Sequence, residues 1–178
     1  MLLGYILALS PLLAFSKSTN ETSFCQSYVK CMQVLEEKQH TCLAFEQNLR
    51  SQSNDSCTRR KWDQKLELTA LHMRRVEVAR DCAQDMLMDD TLAESTLSED
   101  EAERCKNLHG KSSNGNKKDM KQKSHNCKMD AHNWHKECSS LATCCPLALE
   151  CSQSTKELME QIHEGREKLK ALVAECGH

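Results

Sequence analysis

Twelve cysteines place the tightest limit on what this chain can fold into, because their spacing repeats. They read Cys31-x10-Cys42-x14-Cys57-x24-Cys82, then Cys127-x10-Cys138-x12-Cys151-x24-Cys176. The outer intervals match to the residue, and only the middle one differs. Cys25, Cys105, Cys144 and Cys145 stand outside the pattern. On an α-helix, eleven steps turn about 1100°, which returns a side chain to within about 20° of its first direction. Twenty-five steps give a similar match. Each repeated interval therefore presents both sulfurs to one neighbour. Occurring in both halves, this agreement of phase points to a duplicated helical unit.

The apolar residues repeat with helical period. Tyr28, Cys31, Leu35, Cys42, Phe45 and Leu49 fall close to one face. Leu66, Thr69, Met73, Val76, Ala83 and Leu87 continue the effect after Cys57. In the second half Cys127, Ala131, Trp134, Cys138, Leu141 and Cys145 do the same, as do Leu158, Ile162, Gly165, Leu169, Leu172 and Cys176. No alternating strand pattern competes. The fold class is therefore all-α: a disulfide-rich helical bundle of two related helical-hairpin units joined by a charged linker.

Punctuation sets the boundaries. Ser51 to Ser56 is a polar turn, and Cys144-Cys145-Pro146 ends or redirects the third helix, since proline disfavours helical geometry just before it. Ser152 or Ser154 is a candidate cap for the last helix, with Glu157 completing a capping box on Ser154. Residues 85–103 carry eight acids and no Lys or Arg, whereas 106–126 carry six lysines and one acid among small polar residues. The expected organisation is a signal peptide at 1–16, a first cysteine-rich unit at 17–105, a basic flexible linker at 106–126 and a second unit at 127–178.

The leader is uncharged and largely apolar up to Phe15, with small residues at Ala14 and Ser16 before the first lysine, Lys17. It reads as a secretory signal cleaved near Ser16-Lys17. It falls short of the roughly 20 apolar residues of a spanning helix, so no membrane span is expected after cleavage. A secreted, extracellular glycoprotein follows, with Asn20 and Asn54 as the acceptors of its two glycosylation sequons. The oxidising compartment makes disulfides the default for Cys25, Cys31, Cys42, Cys57, Cys82, Cys105, Cys127, Cys138, Cys144, Cys145, Cys151 and Cys176. Only Phe24, Tyr28, Phe45, Trp62 and Trp134 remain as aromatics beyond the leader. So small an aromatic core makes staples of about 2–4 kcal/mol each valuable.

Sequence does not choose among the possible pairings. The nested scheme Cys42–Cys57 with Cys31–Cys82 is opposed by geometry. Straight helices place Cys31 about 16 Å from Cys42 and Cys57 about 37 Å from Cys82, whereas bonded cysteines need α-carbons within about 7 Å. Cys144 and Cys145 are expected to bond to two different partners.

No chemistry is written in the motifs. The chain lacks a nucleophile elbow, a His-Glu-x-x-His zinc site and a Cys-x-x-Cys pair. His132 and His135, between Cys127 and Cys138, have helical metal-ligand spacing, but oxidised sulfurs do not ligate zinc as thiolates. They read as surface histidines. The acidic run lacks the order of an EF-hand loop, and Lys117-Lys118 is a dibasic pair at which processing would separate the halves. A net charge of −2 argues against nucleic acid as a partner. The expectation is no enzyme, no catalytic residue, no cofactor and no metal. The function expected is a non-enzymatic extracellular binding or effector module for a protein or matrix component, its identity and the oligomeric state unknown from sequence. The alternative is a secreted carrier of a small apolar ligand in a pocket between helices.

Overall fold

A computed structural model describes residues 19–89, 98–101, 103–107 and 127–177. The leader, its cleavage point and residues 108–126 of the expected linker lie outside this set, as does the side chain of Asn20. Helix α1 (Thr19–Ser51) and helix α2 (Ser56–Met88) form a long hairpin of two 33-residue helices. Helix α3 (Cys127–Ala142) follows, then the short α4 (Pro146–Glu150), a 3-10 turn (Gln153–Thr155) and α5 (Lys156–Glu175). The described residues contain no strand.

Local chemistry places most of the boundaries. Asp55 caps α2, its carboxylate accepting the Thr58 amide at 2.7 Å, which satisfies one of the unpaired donors of a helix start. Pro146 occupies the first turn of α4, where its missing amide costs no hydrogen bond. The expected cap of the last helix is different. Neither Ser152 nor Ser154 caps α5; Thr155 does so by position, and its hydroxyl donates back to the Ser152 carbonyl at 3.0 Å. The 3-10 turn displaces the helix start past both serines. Ser98 and Glu101 form a reciprocal capping pair ahead of the helical stretch that carries Cys105.

The packing order is α3 on α1, α1 on α2, and α2 on α5. Five disulfides fix it: Cys25–Cys145, Cys31–Cys138, Cys57–Cys176, Cys82–Cys151 and Cys105–Cys144. Their α-carbon separations run from 4.7 to 6.0 Å, inside the range that a disulfide spans. Adjacent Cys144 and Cys145 take different partners. Outside these bridges stand Cys42, buried, and Cys127, half-buried.

The bridges change the meaning of the repeated intervals. Every one joins a cysteine at or before 105 to one at or after 127, and none lies within either expected unit. The core agrees. Tyr28, Met32 and Leu35 of α1, Val76 and Ala83 of α2, and Cys138 and Leu141 of α3 bury one another in a single cluster. In place of two separately stapled hairpins, the two stretches share one core. The equal x24 spacings have a geometric cause. Two long antiparallel helical segments bridged at two levels need closely similar intervals between the bridges on both strands. Cys57-x24-Cys82 on α2 is thus matched by Cys151-x24-Cys176, read in the opposite direction along the α5 segment.

One apolar position departs from the sequence expectation. Phe45 is 53 % exposed, although it shares the α1 face with Cys42. In the register set by Cys31–Cys138, Cys42 stands level with Cys127, the first residue of α3. Phe45 lies beyond that point, so α3 does not cover it.

Candidate ligand-binding groove

The hairpin of α1 and α2 is the floor of a groove whose walls are α3 and α5, because α3 rides on α1 and α5 on α2. Each wall is bolted to the floor. Cys31–Cys138 holds α3, and Cys25–Cys145 holds the turn after it. Cys57–Cys176 and Cys82–Cys151 hold the two ends of the α5 segment. Near the first of these, Arg60 grips Glu175 with two hydrogen bonds of 2.8 and 3.2 Å. Gly165 permits the close approach of α5 to Leu68 of α2.

Two cavities of about 170 and 500 Å³ lie in this groove and share Gln39, His72 and His135 as lining residues. The smaller is largely apolar at its base, with Tyr28, Met32, Leu35 and Val76. The larger runs toward Leu68, Leu169 and Cys42. Polar groups meet where the cavities adjoin. Arg166 on α5 reaches within 3.4 Å of the His72 ring on α2. Arg75 follows His72 by one turn, and His135 faces them from α3, with His132 a further turn away. Lys65 adds a cation at the far end, its ammonium 4.3 Å from the Trp62 ring centroid.

The electrostatics record this crowding. Burial, then Arg166, Arg75 and His135, push the His72 pKa down to about 4. Burial likewise lowers His135, with Arg75, His132 and Arg166 adding to it. The Arg75 guanidinium is also held below its usual value, chiefly by burial; Tyr28 opposes this and Arg166 reinforces it. Burial raises the Tyr28 phenol, with Arg75 pulling the other way. Among the described residues the sole carboxylate in the lining is Glu46, buried and accepting the Thr69 hydroxyl at 2.7 Å. Gln39 is 8 % exposed, and its Oε1 has no hydrogen-bond partner. Such an orphan is uncommon in a folded interior and marks either a bound water or a ligand position.

Among residues singled out from sequence, Asn54 is exposed in the α1–α2 turn. Its carbonyl accepts Arg59 at 2.9 Å. His132 and His135 lie on the exposed rim of the groove. They face other histidines and arginines there, and no group of metal-ligating side chains gathers among the described residues. His72, Arg75, Arg166 and Gln39 carried no sequence signal, since they lie on three helices and converge only in the folded chain. No family model, no curated protein and no solved structure matches this chain.

Proposed function

We propose that this chain is a secreted, non-enzymatic binding protein whose site is the groove between α3 and α5. One observation carries the reading: two adjoining cavities in a groove whose walls are covalently fixed. Their volumes of about 170 and 500 Å³ together fall in the range of small-ligand sites, about 300–1,000 Å³. A site held by bridges loses little freedom when it fills, so more of the contact energy appears as affinity. Five disulfides support an oxidising compartment, and no helix among the described residues is long and apolar enough to cross a membrane. The bridges support this route without locating the chain, and glycosylation at Asn20 and Asn54 belongs to the same proposal.

A second reading, a carrier of small apolar ligands, is favoured by the apolar base of the smaller cavity. Both readings place the ligand in the groove. The test uses two fluorescent probes of nearly the same shape, anionic anilinonaphthalene sulfonate and neutral phenylnaphthylamine, on the oxidised protein purified from conditioned medium. At least one is expected to bind saturably at one site and to be lost on filling the groove with Ala79→Phe or Ala131→Trp. If neither probe binds, or if binding survives both groove-filling variants, the groove is not the site.

A further inference from the structure

We infer that the groove selects a small amphipathic organic anion, with its acidic head at Arg75, Arg166 and the His72–His135 pair and its apolar body over Tyr28, Met32 and Val76. This rests on the groove being the binding site and adds the class of ligand. Among the described residues three cations, Lys65, Arg75 and Arg166, line the cavities against one carboxylate, and Glu46 already has the Thr69 hydroxyl as a partner. Arg166 is directed at a histidine ring, an arrangement that sets cationic and basic groups side by side. An acid at Arg75 and Arg166 would replace their mutual repulsion with charge-assisted hydrogen bonds, about twice as strong as neutral ones. The crowding that keeps His72 neutral is the same effect seen without the anion.

Gln39 supplies an independent sign of a polar occupant. Its buried side chain lines both cavities, and one end of its amide lacks a partner. Rotation of the amide exchanges its oxygen and nitrogen, so the unmet end can accept or donate. A purely hydrocarbon ligand would leave that group unsatisfied, whereas the head of an amphipathic acid meets it. The base of the smaller cavity is apolar, which disfavours a bare inorganic anion.

The matched probes separate this inference from the reading beneath it. Anilinonaphthalene sulfonate is expected to bind at least about tenfold more tightly than phenylnaphthylamine, since the pair differ by the charged group. Arg75→Gln and Arg166→Gln are each expected to remove most of that preference. Arg74→Gln, on an exposed neighbour paired with Glu77, is expected to keep it. Intact disulfides by mass and an unchanged far-ultraviolet spectrum show that the variants are folded. Equal affinity for both probes overturns the anion and leaves the groove standing. A preference that survives both arginine variants also overturns it. If neither probe binds, the site itself falls.

A different observation carries a second proposal: we propose a sixth disulfide, Cys42–Cys127. The Cys31–Cys138 bridge fixes the antiparallel register of α1 and α3. From that bridge, Cys42 lies as far toward the C-terminus of α1 as Cys127 lies toward the N-terminus of α3. At about 100° per residue both have returned to nearly the same face, so they meet as the first pair does. The α2–α5 pair shows the same rule with its two bridges at matched x24 intervals. In the reaction two thiols lose two protons and two electrons, and a disulfide donor of the secretory compartment is reduced to two thiols. Secreted protein, alkylated without reduction and digested, is expected to yield a peptide joining Cys42 to Cys127 and no alkylated cysteine. Alkylation at both positions, or a bond from either to another cysteine, overturns the pairing.

Discussion

Gly165→Ala is expected to destabilise this protein, although alanine is the better helix former by about 0.8–1 kcal/mol. A Cβ at position 165 would stand 2.8 Å from Leu68 Cδ2 and 3.3 Å from Leu68 Cγ, with Gln64 Nε2 at 3.6 Å. The methyl alone could swing aside, but the Cγ contact requires the whole buried side chain to shift. Overpacking of this kind costs about 1–3 kcal/mol, so the net loss is about 1 kcal/mol. In a domain of this size that lowers Tm by about 2–4 °C. The decisive measurement is a double-mutant cycle by thermal circular dichroism on protein with verified disulfides. Leu68→Ala alone is expected to cost about 2–5 kcal/mol. Adding Gly165→Ala to that background removes the clash, so helix propensity emerges and Tm rises. A change of sign between backgrounds is the signature. If Gly165→Ala acts with the same sign and size in both, the glycine does not serve the approach of α5 to Leu68, and the packing argument is refuted.

The bridges predict unequal costs of removal. With neighbouring bridges intact, the loop newly freed by Cys57→Ala/Cys176→Ala is about 50 residues, worth about 4 kcal/mol, against about 14 residues and 3 kcal/mol for Cys31→Ala/Cys138→Ala relative to Cys25–Cys145. Denaturant midpoints are expected to fall further for the first pair; the reverse order would refute the argument from loop length. Asp55→Ala is expected to lower Tm by removing the α2 cap, whereas Ser154→Ala leaves it unchanged, since that hydroxyl caps nothing. For pH, the folded His72 pKa of about 4 lies below the unfolded value of 6.5. The unfolded chain therefore binds more protons between those values, and this contribution is complete above 6.5 and lost as pH falls toward 4. Discounted for the partial exposure of the ring, it amounts to about 1–2 kcal/mol. Tm at pH 4.5 is expected below Tm at pH 7.5, and His72→Gln is expected to flatten that difference.

Much of the helical framework is legible in the sequence because it depends on local order: the three- and four-residue steps, the polar turn around Asn54, and proline after the paired cysteines. The phase of the x10 and x24 intervals is also local, and it correctly places two sulfurs on one face. What they face is a tertiary matter. Equal intervals arise by duplication or by antiparallel bridging, and spacing alone is the same in both cases. The direction of the partner helix decides, and it is set by long-range packing around Tyr28, Leu35 and Val76. The groove was illegible for a related reason. His72 and Arg75 lie on α2 within a pattern that already explains them as a partly exposed helix face. Arg166 lies on the exposed side of α5, and Gln39 resembles any polar residue of α1. Only burial of the Gln39 amide and the meeting of α2 with α5 bring them to one groove. His135 was visible and read as a surface histidine, but the Arg75 and Arg166 that face it come from other helices.

The bridges also determine what a cut at Lys117-Lys118 can do. Because all five cross from one side of that dipeptide to the other, hydrolysis there yields a two-chain molecule and no separated fragments. Its mass would rise by one water, and two bands would appear on a gel only after reduction. Neither wall of the groove would lose its attachment to the hairpin. Maturation by proteolysis, if a cell applied it here, would create new chain ends while leaving the groove assembled.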